Sequence, residues 1–404
     1  MKLSRTATFW VVVAAYLTLM ISASTPSPLY VVYQDEWHFP TSTLTIVFGV
    51  YAIALLVSLL TIGGLSDFVG RRRVLMGALG LLAASMVVFA NADGVAWLYA
   101  ARIMQGLAAG AAIGTLSAGI VDLAPPGKAA LAGLLNALVP SIGLGLGALI
   151  AGAFAQYAPA PTVFVFVVVA AALAVLVILV VFAHESDDTR DGALASLVPR
   201  LRVASRVRAP FVRATPSLFA PWAQMGLTLS LLVSLAAVQF GIRNHFESGL
   251  IVVAVCLAGT VSGFALRDVS ATRASNLGAY GLIAGVVITL SGLYANSLTT
   301  FVLGCALGGL GLGASMSGSI RTMSALPAPD ERGEFFAAVY VIGYLAFSVP
   351  AVIAGFASVH FGLLHTAYVY GAGVILLAAL VPALSTSPAR AVPARVPVGA
   401  GCRD

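Results

Sequence analysis

Charge is scarce in this chain. Asp, Glu, Lys and Arg together make up 9% of its 404 residues, against about 25% in a soluble globular protein, so an ordinary water-soluble fold is excluded. Cysteine is nearly missing: Cys256, Cys305 and Cys402 are the three present, without the spacing of a disulfide or zinc framework. No metal-ligand cluster and no nucleophile-and-base arrangement stands out, so neither a metal nor a cofactor is expected, and a membrane enzyme is disfavoured. No Gly-Lys-Ser/Thr phosphate loop is present, so an ATP-driven pump would need a partner subunit. Acids are also missing from one kind of place. All 15 Asp and Glu residues map to loops, tails or helix ends, and none to the middle of an apolar run.

What the chain has is apolar length. Hydrophobic residues make up 60% of it and the mean hydropathy is +1.01. A spanning helix needs roughly 20 mostly apolar residues, and twelve such runs recur, the first over residues 7–30 and the seventh over 216–240. The first exceeds the apolar core of a signal peptide, about 7–15 residues, and reads as an uncleaved span. The expected fold is an all-α polytopic membrane protein with twelve transmembrane helices in two six-helix, pseudo-symmetric bundles.

Residues 184–213 form the longest polar stretch, beginning HESDDTRDG. They separate an N-terminal bundle, 1–183, from a C-terminal bundle, 214–384, with a tail over 385–404. Basic residues are retained on the cytoplasmic side of a membrane. With the N-terminus inside, every one of the 21 Lys and Arg residues except Arg102 and Arg243 falls on that side. The net charge of +6 is thus a topology signal, nucleic-acid binding is unnecessary, and the bilayer is the expected partner. Both termini are expected in the cytoplasm and the chain in a plasma membrane, specifically a bacterial inner membrane.

A shift of 203 residues superimposes Gly106 on Gly309, Gly110 on Gly313, Ala111 on Ala314 and Pro126 on Pro329, and carries Ile150, Ala151 and Gly152 onto Ile353, Ala354 and Gly355. One offset serving two successive helices and their loop points to duplication. Repeated six-helix halves suit a transporter with its site between them near the midplane.

Three motifs then carry a resemblance. The stretch GGLSDFVGRRRVL, 63–75, places Gly63, Leu65, Ser66, Asp67, Gly70, Arg71, Arg72 and Leu75 in the order of the major facilitator superfamily signature between helices 2 and 3; Phe68 stands where a basic residue is usual. LYAARIMQGLAAG, 98–110, resembles the helix-4 pattern through Arg102, Gln105, Gly106 and Gly110. GLGLGALIAG, 143–152, resembles the glycine-rich helix-5 motif of proton-coupled exporters through Gly143, Gly147 and Gly152, with Ala148 and Ala151 replacing a proline and a glycine. Read without the family, these glycines make close helix packing, and Pro140 makes a kink.

The resemblance implies alternating access, in which the halves rock about a central site. It implies an inner latch formed by Gly63, Asp67, Gly70, Arg71, Arg72, Arg73, Asp122 and Arg332, with Glu334 beside it. Arg102 lies about seven residues, roughly 10 Å, inside its span, where a charge either faces the bundle interior or snorkels to the interface. Pro26 and Pro28 disrupt helix 1 at about that depth, so Arg102 is expected to donate to freed carbonyls or to Ser24 and Thr25. Gln105, Tyr16, Asn136, Gln224, Gln239, Tyr340 and Tyr344 are the further cavity candidates, each readable as an interhelical hydrogen bond instead. With protons as the coupling ion, Asp35 and Glu36 beyond helix 1 are the expected carriers, partnered by Arg102. The expected function is proton-coupled efflux of a small-molecule drug or metabolite by a monomer. An importer of the same fold is the alternative, and a non-transporting receptor is the rival from another class.

Overall fold

A computed structural model describes residues 2–183, 203–242, 244–328 and 331–385, without the side chains of Thr41, Asp67, Ala130, Arg332 and Gly333. The expectations for Asp67 and Arg332, for most of the linker and for the tail therefore fall outside the described residues. Among those described, twelve helical spans are long and apolar enough to cross a membrane.

The first span is two helices, α1 (Arg5–Ser24) and α2 (Pro26–Trp37). Ser4 Oγ caps α1 by accepting from the Ala7 N–H. The break falls at Thr25 because Pro26 and Pro28 have no N–H to offer the preceding turn. α2 stops at His38, whose φ of 52° is left-handed. Asp35 and Glu36 thus lie in the last turn of α2, and the reading that put them past the helix is corrected: proline broke the span without ending it.

The first half continues through α3 (Thr41–Thr61), the short α4 (Ser66–Val69), α5 (Arg71–Ala90), α6 (Val95–Asp122), α7 (Ala129–Tyr157) and α8 (Pro161–Val181). The second half comprises α9 (Ser205–Leu227), a π-helical segment (Thr228–Leu232), α10 (Val233–Phe240), α11 (His245–Ala265), α12 (Ala271–Tyr294), α13 (Leu298–Ser324), α14 (Arg332–Phe361) and α15 (Leu363–Ser385). Residues 205–213, assigned to the linker from sequence, are helical. Pro210, Pro216 and Pro221 all sit inside α9. Burial holds this end in place: Val207 and Phe211 pack with Phe335 and Val339. Ser315 Oγ donates at 3.4 Å to Ser217 O, the carbonyl that Pro221 leaves without its helical donor.

The duplication is visible in the packing. An added Cβ on Gly106 would meet Tyr51 O of α3, and one on Gly309 would meet Val255 O of α11; Gly110 faces Leu55 O as Gly313 faces Gly259 O. Ser58 Oγ donates at 2.6 Å to Leu107 O, and Ser262 Oγ donates at 2.6 Å to Leu310 O. Small residues allow the backbones this approach, which replaces the hydrophobic driving force that lipid does not supply between helices. Thr25 at the break of the first span and Thr228 at the π-helical segment of the seventh stand 203 apart, and each hydroxyl donates to the carbonyl four residues back.

The halves meet through α3 against α14 and α7 against α11. Arg5, Arg71 and Asp122 mark one end of the molecule, the basic face. The close contacts between halves lie toward the other end: Gly355 abuts Thr45, Gly49 abuts Val352, Gly152 abuts His245 and Gly249 abuts Ala148. On the basic face the described ion pairs that join separate helices, Arg71 with Asp122 and Arg206 with Glu331, each stay within one half. The molecule is closed opposite the basic face.

Candidate functional site

Arg102 is buried to 1% exposure in the first half, so snorkelling is excluded. Its Nε donates to Tyr30 Oη at 2.6 Å, and its Nη1 donates to Ala23 O at 3.1 Å and Gln105 Oε1 at 2.5 Å. Gln105 Nε2 in turn donates at 2.7 Å to Ser22 O, the carbonyl that Pro26 cannot serve. The guanidinium carbon stands 5.4, 5.1 and 5.9 Å from the ring centroids of Tyr30, Tyr51 and Phe89, so aromatic faces offset the charge. Among the described residues no carboxylate pairs with Arg102. Asp35 and Glu36 are exposed, and their expected pairing with Arg102 is corrected: the nearer acceptors are neutral.

A second cluster lies where the halves face each other. Tyr16 of α1 and Phe48 and Tyr51 of α3 come from the first half, and Trp222 of α9 with Tyr340, Tyr344 and Phe347 of α14 from the second. Trp222 and Tyr344 meet edge to face at 4.8 Å, and Phe48 and Phe347 stand 4.7 Å apart. Gly343 makes room for the indole, since an added Cβ there would stand 2.7 Å from Trp222. Trp222 Nε1 is buried without a hydrogen-bond partner among the described residues. Tyr16, Tyr340 and Tyr344 are thus brought together as cavity candidates. Tyr51 and Trp222 join them without having been singled out from sequence, where aromatic residues on apolar spans read as packing.

The other cavity candidates lie elsewhere. Gln224 is 7% exposed and helps line a small space inside the second half with Val286, Thr289 and Leu290. Its neighbour there is Gly308. Asn136 Nδ2 donates to Ser117 Oγ at 2.8 Å, and Gln239 Nε2 donates to Leu293 O at 3.3 Å. Asn136 and Gln239 are corrected from cavity lining to hydrogen bonds within a half, because a lone amide in an apolar helix takes a neighbouring helix as partner, whereas Gln224 keeps a buried Oε1 without a hydrogen-bond partner among the described residues.

On the basic face, Arg71 pairs with Asp122, and Arg5 Nη2 donates at 2.6 Å to Asp122 O. Two cations therefore gather at the C-terminal end of α6, where the helix dipole favours them. Arg5 had been counted only for topology. Arg73 Nη1 donates at 3.3 Å to Val69 O, and Arg72 flanks them in the first turn of α5. Gly70 turns the hairpin with φ of 99° and ψ of 139°, a region open to glycine alone. Gly70→Ala is expected to destabilise the protein by about 1–3 kcal/mol, read as a lower melting temperature in detergent; an unchanged melting temperature would show that the hairpin relaxes freely. Gly63 ends the second span against Leu59 O. In α7, Gly143 and Gly147 lie against Met20 and Ser24 of α1, whereas Gly152 lies against α11 of the other half.

Two repeated six-helix halves, embedded in lipid and facing one another across an aromatic cluster, define the architecture of a secondary transporter. The chain belongs to the Major Facilitator Superfamily, whose family model matches residues 12–291. No curated protein matches the sequence significantly. The fold is similar to a bacterial homolog of the human lysosomal transporter Spinster in an inward-facing, unoccupied conformation, with a TM-score of 0.77 at 14% identity over 95% of this chain and 98% of that one. The same homolog in an inward-facing, occupied conformation gives 0.74 at 12% identity over 95% and 97%. The human organic anion transporter MFSD10 (TETRAN) gives 0.66 at 16% identity over 94% and 100%. The chain is a multi-pass membrane protein with a fold that supports secondary transport of a solute.

Proposed function

We propose that this protein exports a small uncharged or amphipathic organic compound by alternating access, in exchange for protons and as a monomer. The observation that carries the reading is the cluster of Tyr16, Tyr51, Trp222, Tyr340 and Tyr344, drawn from both halves. Aromatic faces and an unpaired indole N–H suit a flat apolar body bearing an acceptor. The basic face is cytoplasmic by the charge rule, both termini lie there, and the membrane is a bacterial inner membrane. In a conformation closed opposite that face, an exporter loads its cargo from the cytoplasm. Asp35 and Glu36, exposed at the other face, are the proposed proton carriers.

The lack of a carboxylate in the middle of the described spans favours a second reading, an uncoupled uniporter of the same solutes. Profiling of metabolites and antimicrobials in cells with and without the protein identifies the solute and its direction. Counterflow in vesicles with and without a pH gradient then separates the readings: transport indifferent to the gradient removes proton coupling. Tyr344→Ala is expected to lower flux at least tenfold, about 1.4 kcal/mol, in protein that still folds and inserts. Tyr344→Phe, which keeps the ring, is expected to lower it less. Wild-type flux from Tyr344→Ala would move the binding site elsewhere.

A further inference from the structure

On the outer flank of the second half, α9, α14 and α15 enclose a groove of about 570 Å³, within the range of about 300–1,000 Å³ typical of small-molecule sites. It exists because small residues line it: Ala223 on α9, Ala354 and Ala357 on α14, and Gly373 on α15. Its rim residues Ile353, Phe361 and Val369 are 62%, 72% and 74% exposed, so it opens sideways toward the surrounding hydrocarbon.

The polar atoms inside are already engaged. Thr366 Oγ1 donates to Gly362 O at 2.9 Å, and Tyr370 Oη donates to Ala223 O at 2.8 Å. A polar solute would find no free hydroxyl in the walls. His365 is the one titratable side chain that lacks a hydrogen-bond partner there, and it is exposed in the first turn of α15. From His365 to Leu377, both lining residues, a helix rises about 18 Å at 1.5 Å per residue. That is slightly more than one leaflet of a hydrocarbon core of about 30 Å. The groove therefore runs from headgroup depth to the midplane, with an imidazole at its mouth able to donate to a phosphate in either protonation state.

We propose that the groove between α9, α14 and α15 binds a single acyl chain of a phospholipid of the leaflet opposite the basic face, with its headgroup phosphate at His365. The site lies apart from the inter-half cluster and does not depend on which solute is carried. Its occupant follows from the solvent it faces, the length of the groove and the pairing of an apolar wall with one donor at the rim.

Native mass spectrometry of the full chain, purified in detergent and titrated with palmitoyl-oleoyl phosphatidylglycerol, tests it. The wild type is expected to retain one lipid. Gly373→Trp should lower that adduct at least tenfold, because a Cβ at Gly373 meets nothing within 4 Å and the indole can fill the groove without moving backbone. Ala357→Phe fills it from the facing wall and serves if Gly373→Trp does not fold. Val167→Trp, on the exposed face of α8, should retain the wild-type adduct. His365→Ala should lower retention of phosphatidylglycerol about tenfold while leaving that of the matching diacylglycerol, which has no phosphate. Equal retention by wild type and a folded groove-filling variant overturns the site, as does a lipid-free dimer of the wild type. Equal loss of both lipids in His365→Ala overturns the headgroup assignment.

Discussion

Gly152→Leu is expected to stop transport and to hold the protein open toward the face opposite the basic one. Gly152 sits where α7 of the first half touches α11 of the second. An added Cβ would stand 2.6 Å from His245 O and 3.3 Å from Phe246 Cα, backbone atoms that cannot swing aside as a side chain can. A Cβ added at Gly249 would likewise stand 2.8 Å from Ala148 O in the same seam, so the two helices cannot slide to make room. Overpacking of this kind costs about 1–3 kcal/mol, enough to shift a two-state balance by about fivefold to 150-fold. The penalty falls on the closed arrangement alone, because each half keeps its own contacts when the seam opens. Cysteine labelling from either side of the membrane would show gained access from the far face and lost access from the basic face. Gly152→Ala should give a weaker form of the same shift. Wild-type labelling by Gly152→Leu would mean that the seam is not the outer closure.

Arg102→Ala is expected to abolish transport while the protein still inserts. The loss is not that of a proton carrier, since Arg102 lies inside one half and meets the cluster that spans both through the Tyr51 ring. Removing it strands Tyr30 Oη, Ala23 O and Gln105 Oε1, and a buried group without a partner costs about 1–3 kcal/mol. The break between α1 and α2 would lose its fastening, and Tyr51, whose ring faces the guanidinium at 5.1 Å, would lose its place in the central cluster. Arg102→Lys keeps the charge but not the fork of donors, so it should fail almost as completely. A lowered melting temperature together with lost flux is the signature. Wild-type flux from a folded Arg102→Lys would reduce the residue to a simple counter-charge.

Much of this was legible in the chain. The span count, the offset of 203 and the hairpin signature are local or repeating patterns, and the fold obeys them. Arg102 was legible as a buried group because a cation inside an apolar run has few places to go, and the paired prolines nearby implied free carbonyls for it. Failures arose where a residue's role depends on which way its helix faces. Asn136 and Gln239 looked like Tyr16 and Tyr344 along the sequence, but rotation about their helices turned them toward neighbours in the same half. Residues 205–213 looked like the end of a polar linker, whereas packing of Phe211 against Phe335 kept the helix going.

The sequence by itself determined the solvent, the number of spans, the duplication, the family and the charged side, because hydropathy, repeat spacing and basic residues act one segment at a time. Tertiary structure alone decided that Arg102 fastens a broken helix to neutral acceptors, that Tyr51 and Trp222 join the cluster between the halves, and that Gly152 lies in the seam between halves while Gly147 does not. These depend on helix rotation and on which half lies across the contact. Both are settled only when the helices pack.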